Sequence, residues 1–286
     1  MSLFDRIAPL LVWTAEDYKP FLVAGRRLGW LRRETASRLL DFPLVFEPSG
    51  GGIAIKPGYA TPEARSAALE EVLRELIAAG EVRRLRNEPY PLIRRWGEQP
   101  LGVIDRRAAP LFGIRCFGLH VNGYVERPDG LYLWIGRRAP DKSIAPDKYD
   151  NLVAGGQPAG LSLAANLVKE AAEEASLPPE LAARAVPVGA VTYRCDWPDG
   201  CKDDVLFCYD LAVPEDFQPV NADGEMAEFA LCPVEEVIAE LRETDNFKFN
   251  VGPVIIDFLI RRGILTPENE PDYLRLCASL RSAPPD

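Results

Sequence analysis

Residues 155–177, GGQPAGLSLAANLVKEAAEEASL, constrain this chain more than any other stretch. Gly155, Gly156 and Gly160 read as a loop after the apolar run NLVA, and Ser162 reads as a helix N-cap. Along that helix Leu163, Leu167 and Ala171 recur at i, i+4 and i+8, which gives one apolar face for a core. Glu170, Glu173 and Glu174 fall at i, i+3 and i+4, so their carboxylates leave one side of the helix within a single turn. Carboxylates so placed repel one another unless a cation sits among them, and hard oxygen donors at this spacing suit Mg²⁺ or Mn²⁺ together with phosphate oxygens. The glycines ahead would let backbone come close to that cation or to a substrate. The pattern points to metal-assisted phosphoryl chemistry. An acidic turn on a solvated helix is the plain alternative.

The flanks are mixed. In PEARSAALEEVLRELIAA (62–79), Ala68, Val72, Leu76 and Ala79 share a stripe, with Pro62 at the helix start and Gly80 past its end. PSGGGI (48–53) reads as a turn or flexible loop. After about residue 110 the segments 113–125, 130–138, 185–195 and 203–213 read as strands. Segment 228–243 reads as a strand entering a helix, and 251–263 as a helix ended by Gly263. This irregular alternation predicts an α/β (α+β) fold, with the first hundred or so residues mainly helical with short extended pieces.

The chain has 286 residues, enough for two domains, and a net charge of −10 that argues against nucleic acid as main partner. The charge is unevenly spread, with 17 Lys and Arg against 14 Asp and Glu through Arg107, and 16 against 29 after it. No apolar run approaches the roughly 18–20 residues of a membrane span. The start lacks the basic region and cleavage pattern of a signal peptide, so a soluble, cytoplasmic protein is expected. Cys195, Cys201 and Cys208 form no CxxC pair and the chain has one histidine, which favours free thiols over zinc.

The stretch 155–177 resembles the Nudix box, G-x5-E-x7-R-E-U-x-E-E-x-G-U with U bulky and aliphatic. Gly155 takes the first glycine, Lys169 and Glu170 the R-E pair, Glu173 and Glu174 the E-E pair, and Leu177 the last aliphatic position. Leu161 stands in place of the first glutamate, Lys169 in place of arginine, Ala171 in place of the aliphatic residue and Ser176 in place of glycine. HVNGYV (120–125), WIGRRAPDKSIAPDKYDNLVAGGQPAG (134–160), KEAAEEASL (169–177) and DGEMAEF (223–229) are similar to a narrower subfamily, which includes the Nudix part of fungal thiamine pyrophosphokinase fusions and related plant hydrolases.

The resemblance implies a Nudix fold, a mixed β-sheet sandwiched between helices, over residues 109–286, behind a smaller accessory domain over 1–108. It implies a Mg²⁺- or Mn²⁺-dependent diphosphatase acting on a small-molecule diphosphate, with thiamine diphosphate or an oxidised derivative foremost. Nucleoside diphosphate derivatives, or a non-catalytic diphosphate sensor, are the competing readings. Glu173 and Glu174 would be the principal metal ligands, with Glu170 a ligand or the residue that orients water. Lys169 would hold the carboxylates in place.

Glu225 and Glu228 are candidates for a general base outside the box. Lys142, Asp150 and Asn151 flank the glycines and are candidates, with Gly155 and Gly156, for contact with substrate. His120 reads as structural, and Trp96, Trp134 and Trp197 as core residues or stacking platforms. For the N-terminal unit, a cap over the site, a pocket for a substrate ring and a homodimer contact are all open.

Overall fold

The computed structural model describes residues 2–282. The first unit contains β1 (Tyr18–Val23), β2 (Arg26–Arg32), α1 (Arg33–Leu39), β3 (Phe46–Ser49), β4 (Gly52–Ile55), α2 (Pro62–Ala78), β5 (Pro89–Pro91) and β6 (Val103–Asp105). The short extended pieces form a four-stranded sheet of order β2-β1-β4-β3, and β5 pairs with β6. PSGGGI is the β3–β4 hairpin, turned by Gly50 and Gly51 at φ 54° and 77°. Thr61 caps α2 by accepting the Ala64 amide hydrogen at 3.2 Å, and Leu69, Val72, Leu73 and Leu76 pack into the core of this unit. Ala79, expected on the buried stripe, is the exposed C-cap.

The rest of the chain contains α3 (Ala109–Phe112), β7 (Arg115–Arg127), β8 (Gly130–Arg138), β9 (Tyr149–Asp150), β10 (Val153–Gly156), α4 (Leu163–Ala175), α5 (Pro179–Ala182), β11 (Val186–Trp197), β12 (Gly200–Ala212), β13 (Met226–Pro233), α6 (Val234–Glu243), α7 (Val251–Arg261) and α8 (Tyr273–Ser279). Its mixed seven-stranded sheet runs β11-β12-β7-β8-β13, with β10 on β7 and β9 on β8. Side chains alternate across it, as strand geometry requires. Trp134 faces the apolar cluster built with Leu167, Ala171 and Ala175 of α4, whereas Leu133 and Ile135 face the cluster built with α6, α7 and α8. The sheet therefore lies between two helical layers.

The two units share core. The first unit's apolar cluster runs past residue 108 to Phe112 and Ile114, where the Phe21 and Phe112 rings lie 4.9 Å apart. Conversely Leu3, Phe4, Ile7 and Leu10 sit in the second core, among Val254, Phe258 and Leu276. A buried ion cluster also spans the join. Arg94 Nη1 reaches Asp203 Oδ2 at 2.9 Å, and Arg115 and Arg194 hold the same carboxylate at 3.0 and 2.7 Å. No helix among the described residues is long and apolar enough to cross a membrane.

Candidate active site

Helix α4 starts at Ser162, whose hydroxyl accepts the Ala165 amide hydrogen at 3.1 Å. It ends at Ser176 in the left-handed region, φ 51°, with Ser176 Oγ donating to Val220 O at 2.6 Å. Serine thus adopts the backbone for which the box carries glycine. The apolar face of α4 against the sheet turns the acidic face toward a cavity of about 200 Å³, which Lys169, Glu170, Glu173 and Glu174 help to line. Lys142, Gly155 and Glu225 lie on the same cavity.

The three box carboxylates differ in surroundings. Glu174 is buried, and its Oε2 accepts the Ala154 amide hydrogen at 2.8 Å, which ties α4 to β10. Burial first, then the charge of Asp150, raises its carboxyl well above the usual glutamate value. Glu170 is raised chiefly by burial, against the pull of Lys169. Lys169 Nζ lies 3.2 Å from Glu170 and 2.6 Å from Glu173. Its ammonium therefore sits between two of the carboxylates. Among the described residues no three metal-ligating side chains are gathered around one point. The donors are nonetheless the hard oxygens a divalent cation takes, on one cavity wall, and two of them already share a cation.

Glu225 comes from the turn before β13 and pairs with Lys142 Nζ at 2.5 Å. Burial would raise its carboxyl, but Lys142, with the charges of Arg138 and Arg106, outweighs burial and holds it below the usual value. A carboxylate so held is a poor proton acceptor, whereas the raised Glu170 is a better one. Glu228 instead pairs at the surface with Arg137 at 2.7 Å.

Two expectations about the glycines and their flank are corrected. Gly155 and Gly156 lie in strand β10 rather than in a loop, paired with Leu119 and Gly118 of β7. A Cβ on Gly155 would stand 2.5 Å from Glu170 Cδ, and one on Gly156 would stand 1.6 Å from the Tyr90 hydroxyl oxygen. Glycine is thus required at both positions for the close approach of protein side chains. Asp150 and Asn151 are 1% and 3% exposed and face neither solvent nor the cavity. Asp150 Oδ2 takes Arg138 Nη1 and Lys248 Nζ, each at 2.9 Å. Asn151 bonds His120 Nδ1 and Asn122 Oδ1, both at 2.8 Å. Asp150 thus supports two cations of the site from beneath, and the Asn151 backbone amide in turn donates to Asp150 Oδ1 at 3.0 Å. His120 is pulled down to about 4 by burial, so its ring is neutral at pH 7.

Sequence reasoning missed Arg86, Arg106, Arg138 and Lys248, which all line the cavity. A second cavity of about 130 Å³ shares Arg86, Arg106, Ala154, Gly155 and Lys248 with the first and continues to Phe117, Trp197 and Asp204. Of the tryptophans, Trp134 is core, Trp197 lines this second cavity, and Trp96 is 45% exposed with its ring against Phe117 and Phe207.

A family model described as "Domain of unknown function (DUF4743)" matches residues 6–116, and one described as "NUDIX domain" matches residues 117–252. "Nudix hydrolase 24, chloroplastic" from Arabidopsis thaliana is 42% identical over 269 residues, covering 93% of this chain and 73% of that protein. "Nudix hydrolase 20, chloroplastic" from the same plant is 42% identical over 276 residues, with the same coverage of 93% and 73%. Among solved structures, the MutT protein from Methanosarcina mazei Go1 is 15% identical with a TM-score of 0.40, covering 52% of this chain and 95% of that one. The chain is a member of the Nudix hydrolase family, with a DUF4743 domain ahead of its Nudix domain.

Proposed function

We propose that this hydrolase cleaves the P–O–P linkage of a small organic diphosphate, with thiamine diphosphate or an oxidised derivative as the foremost substrate. The observation that carries this reading is the pair of joined cavities. One carries Glu170, Glu173 and Glu174 beside Lys142, Arg86 and Arg106, and the other is walled by Phe117, Trp197, Asp199 and Asp204. The first suits a diphosphate with its cation. The second suits a compact heteroaromatic group, which stacks on aromatic rings and offers donors to the carboxylates.

The carboxylates of Glu170, Glu173 and Glu174 would hold a divalent cation, Mg²⁺ or Mn²⁺, which neutralises phosphate oxygens and acidifies water. Glu173 and Glu174 are the principal ligands, and Glu170, set among them, orients the attacking water. Water adds to one phosphorus, the bridging P–O bond breaks, and the organic monophosphate and phosphate leave. Lys169 holds Glu170 and Glu173 in place, and the Ala154 amide holds Glu174. Lys142 keeps Glu225 ionised, which fixes that pair at the rim.

A panel of thiamine diphosphate, its oxidised derivatives, nucleoside diphosphate sugars and dinucleotides, assayed with Mg²⁺ and with EDTA, tests this reading. The expected result is the highest kcat/KM on the thiamine compounds, with release of phosphate. Higher kcat/KM on the nucleotides overturns the substrate assignment, and binding without turnover overturns the catalytic one.

A further inference from the structure

The cations around the two cavities are unequally committed. Arg138 and Lys248 are taken by Asp150, Lys142 by Glu225, and Lys169 by Glu170 and Glu173. Arg86 and Arg106 lie at the junction, where both line both cavities. Glu88 takes Arg106 Nη1 at 3.0 Å, yet the Arg106 side chain stays 39% exposed, into the cavities it lines. Arg86 Nη2 donates to Ser143 Oγ at 2.6 Å, on the loop that carries Lys142. Burial first, then the neighbouring charges of Arg106 and Arg107, pulls the Arg86 guanidinium down against the opposing charges of Glu88 and Glu225. Arg107 adds an Nε that is buried and, among the described residues, lacks a hydrogen-bond acceptor.

These arginines are held rigidly. Asp105, at the end of β6, accepts the amide hydrogens of Arg86 at 3.1 Å, Asn87 at 2.8 Å and Arg107 at 2.8 Å. The Arg106 amide donates to Glu88 O at 2.9 Å. One carboxylate thus clamps two loops of the first unit, and both loops present arginine to a site whose acids come from the second. Tyr90 completes the seat, with its hydroxyl against Gly156 and its ring centre 5.6 Å from the Arg106 guanidinium.

We propose that the N-terminal unit supplies the anion-binding half of the active site, with Arg86 and Arg106 gripping the diphosphate where the two cavities meet. Guanidinium forks match phosphate oxygens in pairs, and a diphosphate there keeps its metal-binding oxygens toward Glu170 while its organic group enters the second cavity. Tyr90 and Asp105 act as positioning residues, through Arg106 and through the loop backbones. The assignment rests on the diphosphatase reading above and names which unit holds the substrate.

Binding of methylenediphosphonate, which cannot be cleaved at its central carbon, is measured by calorimetry on the full chain with Mg²⁺. Arg86→Gln and Arg106→Gln are compared with wild type and with Arg38→Gln, which removes the same charge from an exposed ion pair with Glu81. The expected result is affinity about tenfold or more weaker in both site variants, unchanged in Arg38→Gln, with KM for the substrate rising more than kcat falls. Thermal unfolding verifies that each variant is folded, and Arg86→Gln, which leaves the Arg106–Glu88 pair intact, stands as the second reading if Arg106→Gln does not fold. Wild-type affinity in the folded site variants overturns the proposal, as does a wild-type protein that does not bind the probe. Weakened binding in a protein that hydrolyses no diphosphate overturns the diphosphatase reading and leaves the anion site standing.

Discussion

Glu174 Oε2 accepts the Ala154 amide hydrogen at 2.8 Å, so one of the box carboxylates also fastens helix α4 to strand β10. Glu174→Gln retains an acceptor for that amide and removes the charge. The fold is expected to persist, and kcat/KM on thiamine diphosphate with Mg²⁺ to fall about 10²-fold or more. Near-normal turnover in this variant would remove Glu174 from the catalytic set.

Asp150 tests the support beneath the site. Burial alone would raise its carboxyl, but Lys248, His120 and Arg138 outweigh burial and hold it below 3.8. A lowered carboxyl contributes stability that is present above the unfolded value and lost as pH falls through the folded one. Asp150→Asn leaves two buried cations without their counter-charge, at a cost of about 3–5 kcal/mol near neutral pH. Urea unfolding is expected to show this gap at pH 7 and to show it closing in acid below 3.8.

His120 gives a second pH test, of the same sign but at higher pH. Its folded value, about 4 against 6.5, means that the unfolded chain binds more protons between those limits, so stability drops as pH falls through that window. His120→Gln should flatten this part of the stability profile. The kcat/KM profile should keep its limbs between about pH 6 and 8, because a neutral ring has no proton to lose there. A limb that vanishes in the variant would show that His120 titrates in catalysis.

Ser176, at φ 51°, carries a backbone strain that glycine lacks, and its hydroxyl bond to Val220 O offsets part of it. Ser176→Ala loses the bond and keeps the strain. Ser176→Gly is expected to be more stable than Ser176→Ala by about 1–2 kcal/mol in denaturant unfolding. Equal stability of the two would rule out the strain.

Phe4 links the start of the chain to the second core, where it lies with Leu3 and Ile7 among residues of α7 and α8. Phe4→Ala should destabilise the protein by about 3–5 kcal/mol. Differential scanning calorimetry should locate the loss in the transition of the Nudix sheet. A loss confined to the first unit would contradict the packing.

Much of this molecule was legible because the signals are local. Ser162 as cap, the Leu163–Leu167–Ala171 face and the long strands follow from spacing that a single element imposes on itself. Gly155 and Gly156 were misread as a loop because their pairing partner, β7, lies more than thirty residues upstream, and glycines in a strand look like glycines in a turn. Asp150 and Asn151 look like any polar loop in sequence, and only tertiary packing makes them a buried support. Arg86, Arg106 and Lys248 carry no local pattern. Arg86 and Arg106 belong to a unit whose own sequence shows no catalytic motif, and the fold alone brings them to the glutamates.

The packing of Leu3, Phe4, Ile7 and Leu10 also sets an order of events. These side chains are synthesised well before Val254, Phe258 and Leu276, which cover them. The second unit therefore completes its core only once α7 and α8 have been made, and the apolar side chains of residues 3–10 stay uncovered until then.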